Sequence, residues 1–354
     1  MTTRSKDIMK AMVIHAPMEY AIEEKPIPQV TEGTMLVKVR ACGLCGSDLR
    51  TMRHGHTKVT FPWTLGHEIC GEPVDFGPGY TGPWKRGERL SIGPAVYNPQ
   101  DPYTVIGRPE LSAEVREIGQ VWPGALAEYV LIPKAAVEMG NIERSPEGLK
   151  DEHAAVVEPC SSVVHAHERA RTGLGDTVLI MGAGPIGCLH IAVAKARGAH
   201  RVYISDLIPE RLELAKAFEP DGTVNIDTDD IEAELQKVTG GRGPDVIVTA
   251  TPAGAAQVQA VEMAAKGARI VLFGGLPKDN SKPGVDMNLV HYKNLDLIGL
   301  SIFAPRHFRT ALQLIETGKI PVEKLVTHVF PLAEFNEGAQ LALDGKALKV
   351  VFKP

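Results

Sequence analysis

Cys45 and the adjacent pair His67-Glu68 are the residues of this chain best suited to hold a metal ion. A soft sulfur, an imidazole and a carboxylate make a mixed donor set that suits zinc. A structural zinc site usually closes with four cysteine or histidine ligands, whereas a set that ends in carboxylates leaves a position for water or substrate. The expected metal is therefore catalytic. It sits in two loops, Gly43-Leu44-Cys45-Gly46-Ser47-Asp48 and Gly66-His67-Glu68-Ile69-Cys70-Gly71.

A second set of residues reads as a dinucleotide site. Gly182-Ala183-Gly184-Pro185-Ile186-Gly187 matches G-x-G-x-x-G, follows the apolar run Val178 to Met181 and opens a helical pattern from Cys188 to Lys195. The first two glycines allow a tight turn and close backbone approach, the third allows close helix packing, and the helix start offers N–H groups to a pyrophosphate. Asp206 follows roughly 20 residues on, where a carboxylate accepts hydrogen bonds from ribose hydroxyls and repels a 2′-phosphate. NAD is thus expected over NADP, with Arg211 nearby softening the discrimination.

The elements that must position these residues fall into two styles. From Met9 to about Val137, short strands are broken by glycine and proline, which suggests an irregular, barrel-like β domain. After Glu158-Pro159, strands alternate with helices: Thr177–Met181, Val202–Ser205, Val246–Thr249, Arg269–Phe273 and Leu295–Gly299, with helix-compatible segments such as Pro209–Phe218 and Ala255–Ala265 between them. That alternation predicts a doubly wound α/β unit. A helix over Phe308–Thr317 and extended pieces at Val326–Phe330 and Lys349–Phe352 are expected to return to the first domain.

With both halves in view, the chain resembles the zinc-dependent medium-chain alcohol and polyol dehydrogenases over nearly its full length. The resemblance implies an α/β protein with a GroES-like, partly open β-barrel catalytic domain (1–162, completed by 305–354) and a Rossmann-fold NAD-binding domain (163–304). Glu158-Pro159 resembles the sorbitol dehydrogenase-like branch, in which a glutamate stands where several alcohol dehydrogenases place a ligand cysteine. Carried over by position, the metal residues are Cys45, His67, Glu68 and Glu158, with Glu68 and Glu158 competing for the third protein ligand. Asp48 resembles the acid that orients the ligand imidazole, and Ser47 the hydroxyl that takes the substrate's proton. Arg50 stands where some relatives have a relay histidine, and arginine does not exchange protons at neutral pH. His54, His56 or solvent is left to complete the relay.

The implied reaction is oxidation of a secondary alcohol of a polyol, cyclitol or sugar-like substrate to its ketone, with hydride passing to NAD. The alternatives are a reductase of a phosphorylated sugar or simple ketone, for which the basic loop Arg50, Arg53, His54, His56 and Lys58 offers a contact, and a non-catalytic nucleotide-binding regulatory protein. Residues 71–159 contain no cysteine, so the four-cysteine structural zinc site of many relatives is not expected. Gly299-Leu300-Ser301-Ile302-Phe303 lacks the arginine that sorbitol dehydrogenases share there, which argues against sorbitol itself.

Composition narrows the class further. At 354 residues and 44% hydrophobic content the chain can bury two cores, and a net charge of -5 without a basic block points away from nucleic acid and anionic membranes. The polar start and the absence of a long apolar run suggest a cytoplasmic protein. Five cysteines form no disulfide framework, and Cys42-Gly43-Leu44-Cys45 lacks the helix-start context of a redox pair. Cys42, Cys70, Cys160 and Cys188 read as small packing residues. The resemblance implies a homodimer or homotetramer.

Overall fold

The structure, a computed structural model, describes residues 8–354. Two compact units divide the chain: one comprises the residues through Ser161 with Ile302–Glu316 and Val326–Pro354, the other Ser162–Ser301 with Thr317–Leu325. The short piece Thr317–Leu325 thus stays with the second unit, where the sequence reading had the whole tail return to the first.

The first unit opens with the hairpin β1 (Ile8–Ala16) and β2 (Glu19–Pro26). It continues through β3 (Met35–Gly43), β4 (Glu68–Phe76), β5 (Leu90–Val96), β6 (Arg116–Glu117), β7 (Tyr129–Ile132) and β8 (Gly140–Arg144). The second unit holds β9 (Thr177–Met181), β10 (Arg201–Asp206), β11 (Gly222–Asn225), β12 (Val246–Thr249), β13 (Arg269–Leu272) and β14 (Asp296–Gly299). Finally β15 (Val326–Pro331) and β16 (Lys349–Lys353) rejoin the first unit in the order β15-β16-β3-β4-β5-β6.

In the first unit β3 changes partner along its length. Met35–Lys38 pair with β7, whereas Cys42 and Gly43 pair with β16. A strand that trades neighbours in this way curls its sheet into an open half-barrel instead of a flat layer. Its interior is filled by Met35, Val37, Val39, Ile69, Ile92, Val130 and Phe352, all buried. The glycine- and proline-punctuated style of the sequence matches that shape, since each bend needs a residue that tolerates it.

The second unit is a six-stranded parallel sheet in the order β11-β10-β9-β12-β13-β14. The order reverses beside β9, so the turn after Met181 lies at the switch point, where open α/β sheets bind ligands. β9 and β12 are buried at every position, which is why they read as unbroken apolar runs. Five strands are not legible from the sequence pattern: β2, β4, β6, β8 and β11. β4 carries Gly71 and Pro73, both poor strand formers, and accommodates them with a register shift against Leu36 and Val37.

A pair of buried imidazoles sits in the second unit. His190 Nδ1 lies 3.0 Å from His167 Nε2, His167 Nδ1 lies 2.8 Å from Thr172 Oγ1, and Phe273 packs edge-on against His190. Burial first, and then the neighbouring group (Arg197 for His167, the His167 ring for His190), hold both rings below the ordinary histidine range, His167 at about 3. Both are therefore neutral in the folded chain near pH 7, while an unfolded chain protonates them near pH 6.5. The unfolded state binds the extra protons, so stability falls as pH drops from about 6.5 towards 3. Melting temperature measured between pH 7 and pH 5 should fall less steeply in His190→Phe than in the parent; equal slopes would contradict the assignment.

Candidate active site

The candidate metal-binding group forms where strands of the first unit meet. Cys45 precedes the helix Gly46–His54, His67 precedes β4 and Glu68 is its first residue. One potential ligand atom from each of Cys45, His67 and Glu68 lies within 4.8 Å of the others. Their positions follow from sheet register, because Glu68 pairs with Gly43 across β3 and β4. A Cβ on Gly43 would meet Glu68 Oε2 at 2.0 Å, so only glycine lets the carboxylate lie over β3.

Asp48 ties the group together. Its Oδ1 lies 3.2 Å from His67 Nδ1, and its Oδ2 accepts the Cys45 backbone N–H at 3.0 Å. The other ring nitrogen, His67 Nε2, lies 3.5 Å from Ser47 Oγ. Burial alone would lower the His67 pKa, but the charges of Asp48 and Cys45 together outweigh it and hold the pKa well above the usual histidine range. Burial opposes ionisation of Asp48 in the same way, and the His67 partner overcomes it. The pocket is thus built around negative groups that call for a cation, which is the donor chemistry a zinc ion fits.

Glu68 has a partner the sequence reading did not anticipate. Lys349, on β16, places its Nζ 2.6 Å from Glu68 Oε1 and 3.0 Å from Oε2, and it also donates to Leu44 O at 3.2 Å. Both side chains are buried. Glu158, on the helix Val157–Arg169, is not one of the three grouped residues, yet it is near enough to feel them. Withdrawal from water pushes its carboxyl up to about 7, with His67 and Lys349 opposing and Glu68 and Glu117 reinforcing the rise. The structure therefore brings Cys45, His67 and Glu68 together with Asp48 and Ser47 and sets Glu158 beside them.

The glycine turn is equally well defined. Gly184 caps the helix Pro185–Ala196, with Pro185 at its first position and Ile186 following, and the space where its side chain would stand is open. Gly187 packs against the turn so closely that a Cβ would meet Gly182 O at 1.9 Å. Asp206, at the end of β10, accepts the Ala183 N–H at 2.7 Å and the Ile208 N–H at 2.9 Å, which fixes its carboxylate beside the turn. Arg211 lies one helical segment further, on Pro209–Ala215.

Known protein families account for both halves. The alcohol dehydrogenase GroES-like domain matches residues 31–142, and the zinc-binding dehydrogenase family matches residues 185–317. An erythritol/L-threitol dehydrogenase of Mycolicibacterium smegmatis is 32% identical over 100% of both chains. The chain belongs to the zinc-dependent medium-chain dehydrogenases. A sorbitol dehydrogenase of Bacillus subtilis is 31% identical over 98% of this chain and 97% of its own, which places the dehydrogenase in the polyol branch. Among solved structures, a zinc-binding dehydrogenase of Sinorhizobium meliloti bound to NADP superposes with a TM-score of 0.89 at 28% identity, over 98% of this chain and 99% of the other.

Beside the metal group of this dehydrogenase lies a hollow of about 90 Å³, lined by Ser47, Asp48, Arg50, Thr51, Gly55, His56, Leu65, His67, Gly119 and Gln120. Gly119 and Gln120 come from the lobe at residues 97–124, whose role the sequence did not disclose. That lobe is ordered by Asp101, which accepts the Tyr103 N–H at 2.8 Å at the start of the helix Pro102–Val105, and by the Trp63 indole donating to Gly119 O at 3.0 Å. The remaining cysteines, Cys42, Cys70, Cys160 and Cys188, are buried free thiols, each raised by burial well away from the thiolate form. No helix among the described residues is long and apolar enough to cross a membrane.

The ion pair gives a direct test of how Glu68 is held. In chelator-treated protein, Lys349→Met leaves the buried carboxylate without its counter-charge and should lower urea stability by about 3–5 kcal/mol. The double variant Lys349→Met/Glu68→Gln should recover most of that loss. A single variant as stable as the parent would show that the pair contributes little.

Proposed function

We propose that this dehydrogenase uses one zinc ion and NAD to interconvert a secondary alcohol of a polyol, cyclitol or sugar-like compound and its ketone. The observation that carries this reading is the grouping of Cys45, His67 and Glu68 beside a small hollow that also holds Ser47. The erythritol/L-threitol and sorbitol dehydrogenases that the chain resembles support the substrate class. NAD is supported by Asp206, whose fixed carboxylate suits ribose hydroxyls and opposes a 2′-phosphate.

Cys45, His67 and Glu68 would hold the zinc, with Glu158 as the nearby carboxyl able to exchange with Glu68. When bound, zinc supplies Lewis acidity that lowers the pKa of a coordinated hydroxyl. Asp48 keeps His67 in the orientation that presents Nε2 to the site. Ser47, exposed at the hollow, takes the substrate's hydroxyl proton and passes it to solvent. NAD, held at the glycine turn by Gly182, Gly184, Gly187 and Asp206, would supply the hydride acceptor, so that alcohol and NAD+ would become ketone, NADH and a proton. Lys349 balances the Glu68 charge. The edge of the six-stranded sheet at β14, unpaired among the described residues and with Leu297 exposed, supports self-association into a homo-oligomer.

Replacing Cys45 with serine should reduce bound zinc and lower the rate of NADH formation across a panel of polyols by more than about 100-fold, since a polarising group at the reacting oxygen supplies several kcal/mol. Unimpaired turnover in a metal-free Cys45→Ser protein would overturn the mechanism. For the cofactor, Asp206→Ala should raise the ratio of kcat/KM for NADP over NAD by about 10- to 100-fold, as expected when a repelling carboxylate is removed from the 2′ position. Steady-state kinetics with both cofactors reads this out, and an unchanged ratio would separate Asp206 from cofactor choice.

A further inference from the structure

We infer that the substrate carries an anionic group, a phosphate ester or a carboxylate, received by Arg50 and His56 at the hollow beside His67. The inference rests on the polyol reading above and narrows it. Arg50 lies on the helix Gly46–His54 three residues after Ser47, a spacing that puts both on one helix face, and both line the hollow. Among the described residues Arg50 has no carboxylate partner, whereas Arg108, Arg144 and Arg309 of the same unit each have one.

His56 is also a donor towards the hollow. Its Nδ1 accepts the Lys58 backbone N–H at 3.2 Å, and a backbone N–H can only donate, so the neutral ring carries its proton on Nε2. A ring held in that tautomer offers its Nε2–H as a hydrogen-bond donor. His56 is thereby a binding group, and the proton relay passes from Ser47 to solvent.

The carboxylate at the hollow is already engaged. Among the described residues Asp48 is its one lining carboxylate, and its oxygens serve His67 Nδ1 and the Cys45 N–H. The Gln120 amide nitrogen donates to Glu117 Oε2. Arg53 and Lys58, on the same loop, also have no carboxylate partner among the described residues, so every uncompensated side-chain charge there is positive. A guanidinium fork beside a neutral N–H donor is the arrangement that receives phosphate or carboxylate oxygens. With only about 90 Å³ of hollow, that anion would stand a few carbons from the reacting carbinol.

The test uses the zinc-loaded full-length enzyme with two matched sets: erythritol, erythritol 4-phosphate and erythronate; sorbitol, sorbitol 6-phosphate and gluconate. In at least one set an anionic member should exceed the neutral polyol in kcat/KM by about 10-fold or more, and which anion wins separates phosphate from carboxylate recognition. Arg50→Gln should collapse that anionic-to-neutral ratio by about 10- to 100-fold, Arg50→Lys should retain part of it, and His56→Ala should lower it by about 3- to 10-fold. The inference is overturned if the neutral polyol is preferred in both sets or if Arg50→Gln leaves the ratio unchanged. A raised KM for NAD with an unchanged ratio would assign Arg50 to the cofactor pyrophosphate instead. Absence of NADH from every probe would remove the polyol reading, and this inference with it.

Discussion

Glu68 is a carboxylate with no access to water, and much of the first unit is arranged so that its charge can exist there. It needs a glycine opposite, because any side chain at Gly43 would collide with it. It also needs a cation, which Lys349 supplies from the far end of the chain. An isolated ion in such a place costs several kcal/mol unless it is paired and hydrogen-bonded. Strand pairing of β16 on β3, at Val351 opposite Gly43, is what delivers the lysine. The same pairing holds the metal loop: Leu44 N–H donates to Val350 O, immediately before Cys45.

Around that carboxylate the remaining groups form a balanced set of charges. Asp48 and Cys45 favour a cationic partner at His67, and Glu158 is close enough to share the field while holding its proton near neutrality. A divalent ion among these groups would replace the cationic histidine as the positive centre, allowing the ring to serve as a neutral ligand. Coupled carboxylates of this kind are a common way to keep one acid protonated beside one that is charged. The arrangement sets Glu158 beside the group of Cys45, His67 and Glu68 without making it a member of that group.

The two units show different kinds of legibility. β9 and β12 announced themselves because both faces are buried and parallel strands then read as unbroken apolar runs. The strand β4 was hidden because its first residues carry chemistry and its middle carries Gly71 and Pro73, which oppose strand propensity and are tolerated through a register shift. β11, with Gly222 at its start, is short and half-exposed, and its place is set by pairing with β10. The lobe at residues 97–124 has little periodicity, since its order comes from caps and side-chain hydrogen bonds that join distant positions.

For the site, residue type and local spacing nominated Cys45, His67, Glu68 and the glycine turn with Asp206, and the resemblance to polyol dehydrogenases added Ser47, Asp48 and Glu158. Those residues act through the chemistry of their own side chains and through turns only a few positions long. Local sequence could not decide between Glu68 and Glu158 for membership of the ligand group, because that depends on which strand faces Gly43. Nor could it disclose Lys349, whose partner lies 281 positions away, or the contribution of Gly119 and Gln120 to the hollow. The physical reason is one of range: propensity, capping and turn chemistry act over a few residues, whereas charge compensation and cavity shape are fixed only when strands distant in sequence come into register.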